Sequence, residues 1–559
     1  EVSTIVYSSD GGLTVTETLY NGATLITKKY RDGQIDSEYG TGRVPTYYNY
    51  GTDPEKGYFT YTANSAGGAN YTRTFYDIFG RISRVEKPGM NSTMLSSERT
   101  YNALSQLIKS TTPGMASTLY EYNDLGELLR SGLDIDNNGT LDLASSDRIQ
   151  ESEHSFVKLD NSWYDENKSL VYGTAGSGTA TLLSTQRNKL TNLAAGVASE
   201  SVSIDRYGNE TTSRVEFNRA GKQVKNITVY PNSPIAAEST TINGLQTSVR
   251  DQLNQITTYT YDGLERPLTI TDSRGNTQSV SYHTTGVGQI GDVATITDAA
   301  NNTTSFTTSF NGVNKIKATT NAQGKISYNA YNAMGLVYRI WGATDYPIQL
   351  TYDSFGRQTE LRTFRAGTPA IWAGANFPTI FASQASVTSW TYDNGTNLVT
   401  KKTNADGKSV NYSYTDYGQL SRRQYPRLHL GIPVATEYSY DPMTAELTQI
   451  KYIRLVSPQI NFTYDRLGNK ASVTDAAGTR NFTYNDKFDL TKESINGIYN
   501  KEINYSYSNT GLKGRLEGFN VNNTASANYT YDEYGRMASI NDVNYAYAAN
   551  GGMLSSMRH

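Results

Sequence analysis

The sequence predicts an all-β chain, a long antiparallel meander built from β-hairpin repeats. Three observations carry that expectation. A Tyr-Asp corner recurs along the chain, a second series of Asx-Gly corners lies between its copies, and the intervals are β-branched or aromatic with period two.

The first series is clearest in Tyr76-Asp77-Ile78-Phe79-Gly80-Arg81, Tyr352-Asp353-Ser354-Phe355-Gly356-Arg357 and Tyr531-Asp532-Glu533-Tyr534-Gly535-Arg536. Asp at the first position of a four-residue turn bonds the backbone ahead of it, and Gly at the fourth accepts the positive φ that leads into the next strand. Each copy therefore predicts a hairpin corner. Degenerate copies keep the logic at Tyr122-Asn123-Asp124-Leu125-Gly126 and Tyr464-Asp465-Arg466-Leu467-Gly468, whereas Tyr261-Asp262-Gly263-Leu264-Glu265-Arg266 moves the Gly.

The second series reads Asp272-Ser273-Arg274-Gly275, Asn321-Ala322-Gln323-Gly324, Asn404-Ala405-Asp406-Gly407 and Asp475-Ala476-Ala477-Gly478. From Asp262 to Asp272 and from Asp465 to Asp475 the offset is about ten residues, room for a strand of about six and a corner of four. Corners then alternate between the two edges of a ribbon. Gln255–Tyr261 and Asn461–Tyr464 show the strand signature between them.

Composition agrees. Tyr numbers 44 against 15 Phe, which suits a sheet with one wet face, since the ring packs and the hydroxyl meets water. The 50 basic and 53 acidic residues balance without a basic run, so nucleic acid is not an expected partner. With no Cys and four scattered His, disulfides, thiolate sites and a zinc cluster are not expected. No stretch reaches the length of a transmembrane helix, and Glu1 reads as a processed start. The chain is taken as one body over residues 1–559.

The Tyr-Asp/Gly-Arg units, with neighbours such as Gly468-Asn469-Lys470 and Asp272 to Asn276, resemble the YD or RHS repeat family. That family includes bacterial RHS proteins, the cocoon components of Tc toxins and teneurin ectodomains. The resemblance covers most of the chain and implies a β-strip spiralling into a hollow or partly open shell, secreted or on a bacterial cell surface, with an enclosed polypeptide as one partner. Relatives with toxic cargo end in a core segment with an Asp-Pro-x-Gly type motif and an aspartyl self-cleavage site. This chain departs there: Asp441-Pro442-Met443-Thr444 occupies an ordinary corner, so neither a cargo segment nor a self-cleaving protease is expected within residues 1–559.

Chemistry is sought where the repeat is interrupted, at about 131–200, 362–390 and 422–434. The first interruption opens with Asp134-Ile135-Asp136-Asn137-Asn138-Gly139-Thr140-Leu141-Asp142, the D-x-D-x-N-G-x-x-D head of an EF-hand-like or dockerin-like loop. It predicts a structural Ca2+ held by Asp134, Asp136, Asn138, the Thr140 carbonyl and Asp142. Ser145 stands at the twelfth position, where Glu is usual, and Asp147 is placed to close the shell; the competing reading is an Asx-rich surface turn. The Gly-rich run from Gly173 lacks a Gly-Lys-Ser/Thr ending and predicts no phosphate site.

The remainder of the first interruption holds Glu151, His154, Asp160, Trp163 and Tyr164; the third holds Arg422, Arg423, Tyr425, Arg427 and His429. Cations beside Tyr or His are what a β-eliminating polysaccharide lyase needs, because a cation neutralises a uronate carboxylate while Tyr or His removes the adjacent proton. His154, Tyr164, Tyr425, His429 and Arg423 are the candidates for that chemistry, and the ordinary reading is a wet β surface. Phe364, Trp372, Phe377 and Phe381 make the second interruption apolar, predicting a short helix or a plug over the ribbon. A structural or encapsulating scaffold ranks first, a uronate lyase second, and a glycan-binding adhesion module using Trp163, Trp372 or Trp390 third.

Overall fold

The computed structural model describes residues 3–8, 10–65, 67–286, 289–364, 368–378, 385–453, 459–548 and 552–558. Phe381 and His559 lie outside them. Among the described residues forty-six strands, from Thr4–Tyr7 to Leu554–Arg558, carry almost all the regular structure, beside one α-helical turn at Pro369–Trp372 and a 3-10 turn at Met90–Ser92. Each strand pairs antiparallel with its successor. Among the described residues the first and last strands have no second partner, so the sheet is one meander that does not close.

The repeat unit explains the corners. Asp77 Oδ1 accepts the backbone N–H groups of Phe79 and Arg81 at 2.9 and 3.0 Å, and Arg81 Nε returns to Asp77 Oδ2 at 2.7 Å. The same bonds recur in the corners led by Asp262, Asp353 and Asp532. Gly80, Gly356 and Gly535 take φ of 77°, 75° and 81°, the left-handed region a side chain disfavours. In the Asp262 corner Gly263 does not fill that slot. Glu265 does, with φ 65°.

In many units the Tyr does a separate job. Strands Val337–Gly342 and Ile348–Tyr352, joined at the opposite edge, pair only at Arg339↔Gln349 and Ile340↔Ile348, so their ladder stops short of the Tyr-Asp edge. There the Tyr352 hydroxyl donates to the Val337 carbonyl at 2.6 Å, supplying a bond the splayed ladder lacks. Tyr261, Tyr282, Tyr414 and Tyr531 do the same to Gln246, Pro267, Val399 and Leu516. The Arg of one corner then lies over the Tyr of the next, Arg81 at 4.4 Å from the Tyr101 ring and Arg266 at 4.1 Å from Tyr282. Corner, staple and cation stack form a chain of contacts running along one edge.

Two expected interruptions are largely strand. Residues 148–205 form the long hairpins Arg148–Leu159, Ser162–Val171, Thr181–Lys189 and Val197–Asp205, and 422–434 falls within Leu420–His429 and Ile432–Tyr440. Longer strands postpone the corner, so the motif's spacing lapses while the ladder continues. Among the described residues the longest departures from the sheet are 134–147 and 368–378. In the latter, Phe377 sets its ring 5.6 Å from buried Trp341 and 5.5 Å from buried Phe364, and Trp341 Nε1 donates to Gly374 O at 3.0 Å. The described part of this stretch thus combines the short helix Pro369–Trp372 with an apolar cluster over Trp341. Among the described residues no helix is long and apolar enough to cross a membrane.

Candidate functional site

The strip winds. Bonds between distant corners join residues 279 to 325 positions apart, one circuit of the spiral. Every such contact sets a Tyr-Asp-type corner of the second turn on a corner of the opposite, or return, edge of the first. Asn21 Nδ2 meets Val313 O at 3.0 Å, Asn70 Nδ2 meets Gly395 O at 2.8 Å, and Ala116 N meets Met443 O at 2.7 Å. Arg148 forks onto Glu446 with two bonds of 2.8 Å, and Asp489 accepts Arg206 Nη2 at 2.9 Å and the Tyr207 hydroxyl. Glycines let the edges approach: a Cβ on Gly114 would stand 2.5 Å from the Tyr417 ring, and one on Gly173 would strike Phe488.

The acidic loop is part of this seam. Asp134 and Asp147 are buried, and Asp136 is exposed beside them; one carboxylate oxygen from each lies within 4.8 Å of the others. Asp134 accepts Asn138 N and Gly139 N at 3.0 Å each, while Asp147 accepts Ile135 N at 2.8 Å and Asp142 N at 2.9 Å. Asn138 Nδ2 bonds the Asp142 and Asp136 carboxylates at 2.5 and 3.1 Å, and Thr140 Oγ1 bonds Asn138 Oδ1 at 2.7 Å. Desolvation raises the Asp136 pKa above the usual carboxylate value, and the charges of Asp147, Asp142 and Asp134 raise it further. Hard oxygens gathered this way are chemically suited to a divalent cation of the Ca2+ type. Asp147, not Ser145, closes the cluster.

Arg466 plugs the loop from the second turn. Its buried guanidinium donates to the carbonyls of Asp147 at 2.6 Å, Leu143 at 2.8 Å, Thr174 at 3.1 Å, and Ser177 and Asp142 at 3.3 Å. Below it Leu119, Leu141, Ile149 and Tyr172 form a small buried core. No sequence signal marks Arg466, because an Arg in a corner reads as solvated.

The residues considered for catalysis stand apart. His154 is clamped between Glu127 at 2.6 Å and Asp165 at 2.9 Å, and the bond to Glu127 is the main reason its pKa is raised. A ring whose two nitrogens are both engaged by carboxylates that favour its charged form is a poor general base. Tyr164 lies in the next strand opposite Val157 and Lys189. Arg423 stacks at 4.9 Å from the Tyr425 ring, and His429 ends the same strand, pairing with Ile432. His154 lies on the first turn in a strand running up to its free Tyr-Asp edge, whereas His429 lies on the second turn at its free return edge. The strand order therefore separates the two groups across the strip. Glu151 is buried against Arg130 Nε at 2.6 Å and accepts the Tyr172 hydroxyl; burial raises its pKa, but these two partners outweigh it and hold the carboxyl below the usual range. Trp163 is exposed, and Trp390 lies beneath Lys402 Nζ at 5.9 Å.

The family model described as RHS Repeat matches residues 243–277, which span the Asp262 and Asp272 corners. The crystal structure of TcdB2-TccC3 is similar over 99% of this chain and 34% of its own, with a TM-score of 0.56 at 12% identity. That of TcdB2-TccC3-TEV is similar over 94% and 30%, with a TM-score of 0.55 at 12% identity. The chain thus spans about a third of the length of these neighbours, and at such identity the likeness is one of fold. No curated protein matches it. The repeat matched at 243–277, the recurring corners and the strip architecture together make this chain similar to the YD/RHS-repeat family.

Proposed function

We propose that the chain is a wall segment of a bacterial RHS shell, secreted or displayed on the cell surface, that encloses a polypeptide. The observation that carries this is the seam. A strip that merely displayed loops would not need its second turn sealed to its first by backbone bonds, a forked ion pair and a buried Arg466. The fold shared with TcdB2-TccC3 supports the same reading. The wide separation of His154 from His429 favours a scaffold over β-elimination at a shared cleft. To test it, a protease-sensitive reporter peptide is fused after His559 and digested alongside the free reporter. Enclosure predicts slower cleavage of the fused reporter. Cleavage at the free rate contradicts enclosure, and turnover of a uronate polysaccharide that disappears on Tyr425→Phe or His154→Ala would replace the scaffold reading with the lyase.

A second reading concerns the acidic loop, and it rests on the convergence of Asp134, Asp136 and Asp147. Here the cation's role is to hold the platform that Arg466 grips. Titration calorimetry with CaCl2 is expected to show saturable binding that Asp136→Asn weakens, and EDTA is expected to lower the melting temperature. The raised Asp136 pKa favours the protonated loop in the absence of cation, so in EDTA stability falls as pH rises through the carboxylate range. Flat calorimetry and an unchanged melt would leave the plain Asx-rich turn.

A further inference from the structure

The seam is not sealed along its whole length. On one side Asn209 Oδ1 accepts Lys513 N at 3.1 Å and Asn209 Nδ2 donates to Lys513 O at 3.0 Å, while a Cβ on Gly514 would strike the Tyr207 ring. On the other, Arg274 Nη1 meets Met553 Sδ at 3.0 Å, and a Cβ on Gly552 would stand 2.7 Å from Leu253. Between these contacts the Asp532 corner of the second turn faces the return corner after Tyr230 on the first, and among the described residues no hydrogen bond joins the two corners. A cavity of about 890 Å3 separates them. Both of its rims belong to this chain and both its ends are closed by contacts within it, so neither a further turn nor another molecule is needed to form it.

We propose that this cavity binds an uncharged oligosaccharide. Its volume falls within the range of small-molecule sites, about 300–1,000 Å3. Tyr230, Tyr529 and Tyr534 supply aromatic surface for the apolar C–H faces of sugar rings, and Tyr230 is 42% exposed. Polar groups of both signs line the same space. They are Arg515, whose guanidinium lies 4.5 Å from the Tyr531 ring, and Glu517 and Glu533, and none of these three side chains has a hydrogen bond or ion pair to another described residue. Asp251 and Asp532 also line the cavity, but they are engaged by the backbone of their own corners and, for Asp532, by Arg536. A charged ligand would be drawn to one sign and repelled by the other. A polyhydroxyl ligand uses both, its hydroxyls donating to the carboxylates and accepting from the guanidinium. The inference is independent of enclosure, since a wall that encloses nothing would keep the cavity.

Saturation-transfer NMR on the full chain tests it, with the uncharged trisaccharides maltotriose, cellotriose and xylotriose titrated as probes. At least one is expected to receive saturation through its C–H protons. Tyr230→Ala and Glu517→Gln are each expected to weaken that binding about tenfold and to leave the melting temperature unchanged, because both side chains are exposed and unpaired. Spermidine and trigalacturonate, one cationic and one anionic, serve as the charged comparisons. A signal from none of the three neutral sugars at millimolar concentration, a signal that survives both substitutions, or binding of spermidine or trigalacturonate alone would each overturn the proposal.

Discussion

The Arg466 guanidinium donates from Nε to the backbone carbonyl of Asp147 at 2.6 Å, although the two residues stand 319 positions apart. That bond fixes where one circuit of the strip ends and the next begins. Replacing Arg466 by Met removes the charge-assisted bonds and leaves buried carbonyls unpaired, which is expected to cost about 3 kcal/mol. Chemical denaturation measures the loss. Hydrogen exchange should locate it, with amides of 134–147 and 174–177 opening first. Uniform loss of protection along the chain would instead make Arg466 a general packing residue.

The Tyr hydroxyl is predicted to act as a staple and not as a reactive group. Tyr352→Phe keeps the ring and deletes the 2.6 Å bond to Val337 O, so a destabilisation of about 1 kcal/mol is expected. An equal-sized control at Tyr346, an exposed residue outside the corner motif, should change little. If both substitutions are silent, the splayed ladder needs no phenol.

Glu265 and Ser105 occupy the left-handed slot that Gly fills in the regular corners, each with φ 65°. Glu265→Gly and Ser105→Gly are therefore expected to stabilise the chain by about 0.5–1 kcal/mol each, the relief of strain exceeding the entropy added to the unfolded chain. Thermal melts decide the sign.

His154 supplies a pH signature. Its folded pKa is raised above 6.5, chiefly by the Glu127 bond and further by Asp165, so the stabilisation is fully present below pH 6.5 and is lost as pH rises through the folded value. An NMR titration of the His154 ring should give a midpoint above 6.5. Glu127→Gln should move it down more than Asp165→Asn does.

What the sequence disclosed was local. Asp77, Gly80 and their repeats could be read as corners because turn chemistry acts over four residues, and alternation in Gln255–Tyr261 could be read as strand. The Tyr352 hydroxyl's target could not, since it depends on how far two strands splay at one edge. Nor could the stack of Arg81 on Tyr101, which needs the spacing of adjacent corners in three dimensions. The acidic loop showed its oxygen-bearing side chains in order, but the burial of Asp147 and its bonds to Ile135 and Asp142 lay beyond the sequence. Within the interruption expected at about 131–200, the long hairpins that begin at Arg148 continue the ladder while the motif lapses, because only corners carry the motif. The seam was invisible altogether: Arg148, Glu446, Arg466 and Asp489 are ordinary charged residues until the strip completes a circuit and brings them together.

Winding is the claim on which the rest depends, and disulfide trapping tests it most directly. The chain has no Cys, so Ala116→Cys with Met443→Cys introduces a single pair, at corners joined by a 2.7 Å backbone bond between the turns. Mild oxidation of the dilute protein is predicted to close an intramolecular loop between them, seen as a faster band on non-reducing gels and confirmed by the linked peptide. A pair that stays reduced, while a control pair across one hairpin oxidises, would contradict a second turn lying on the first.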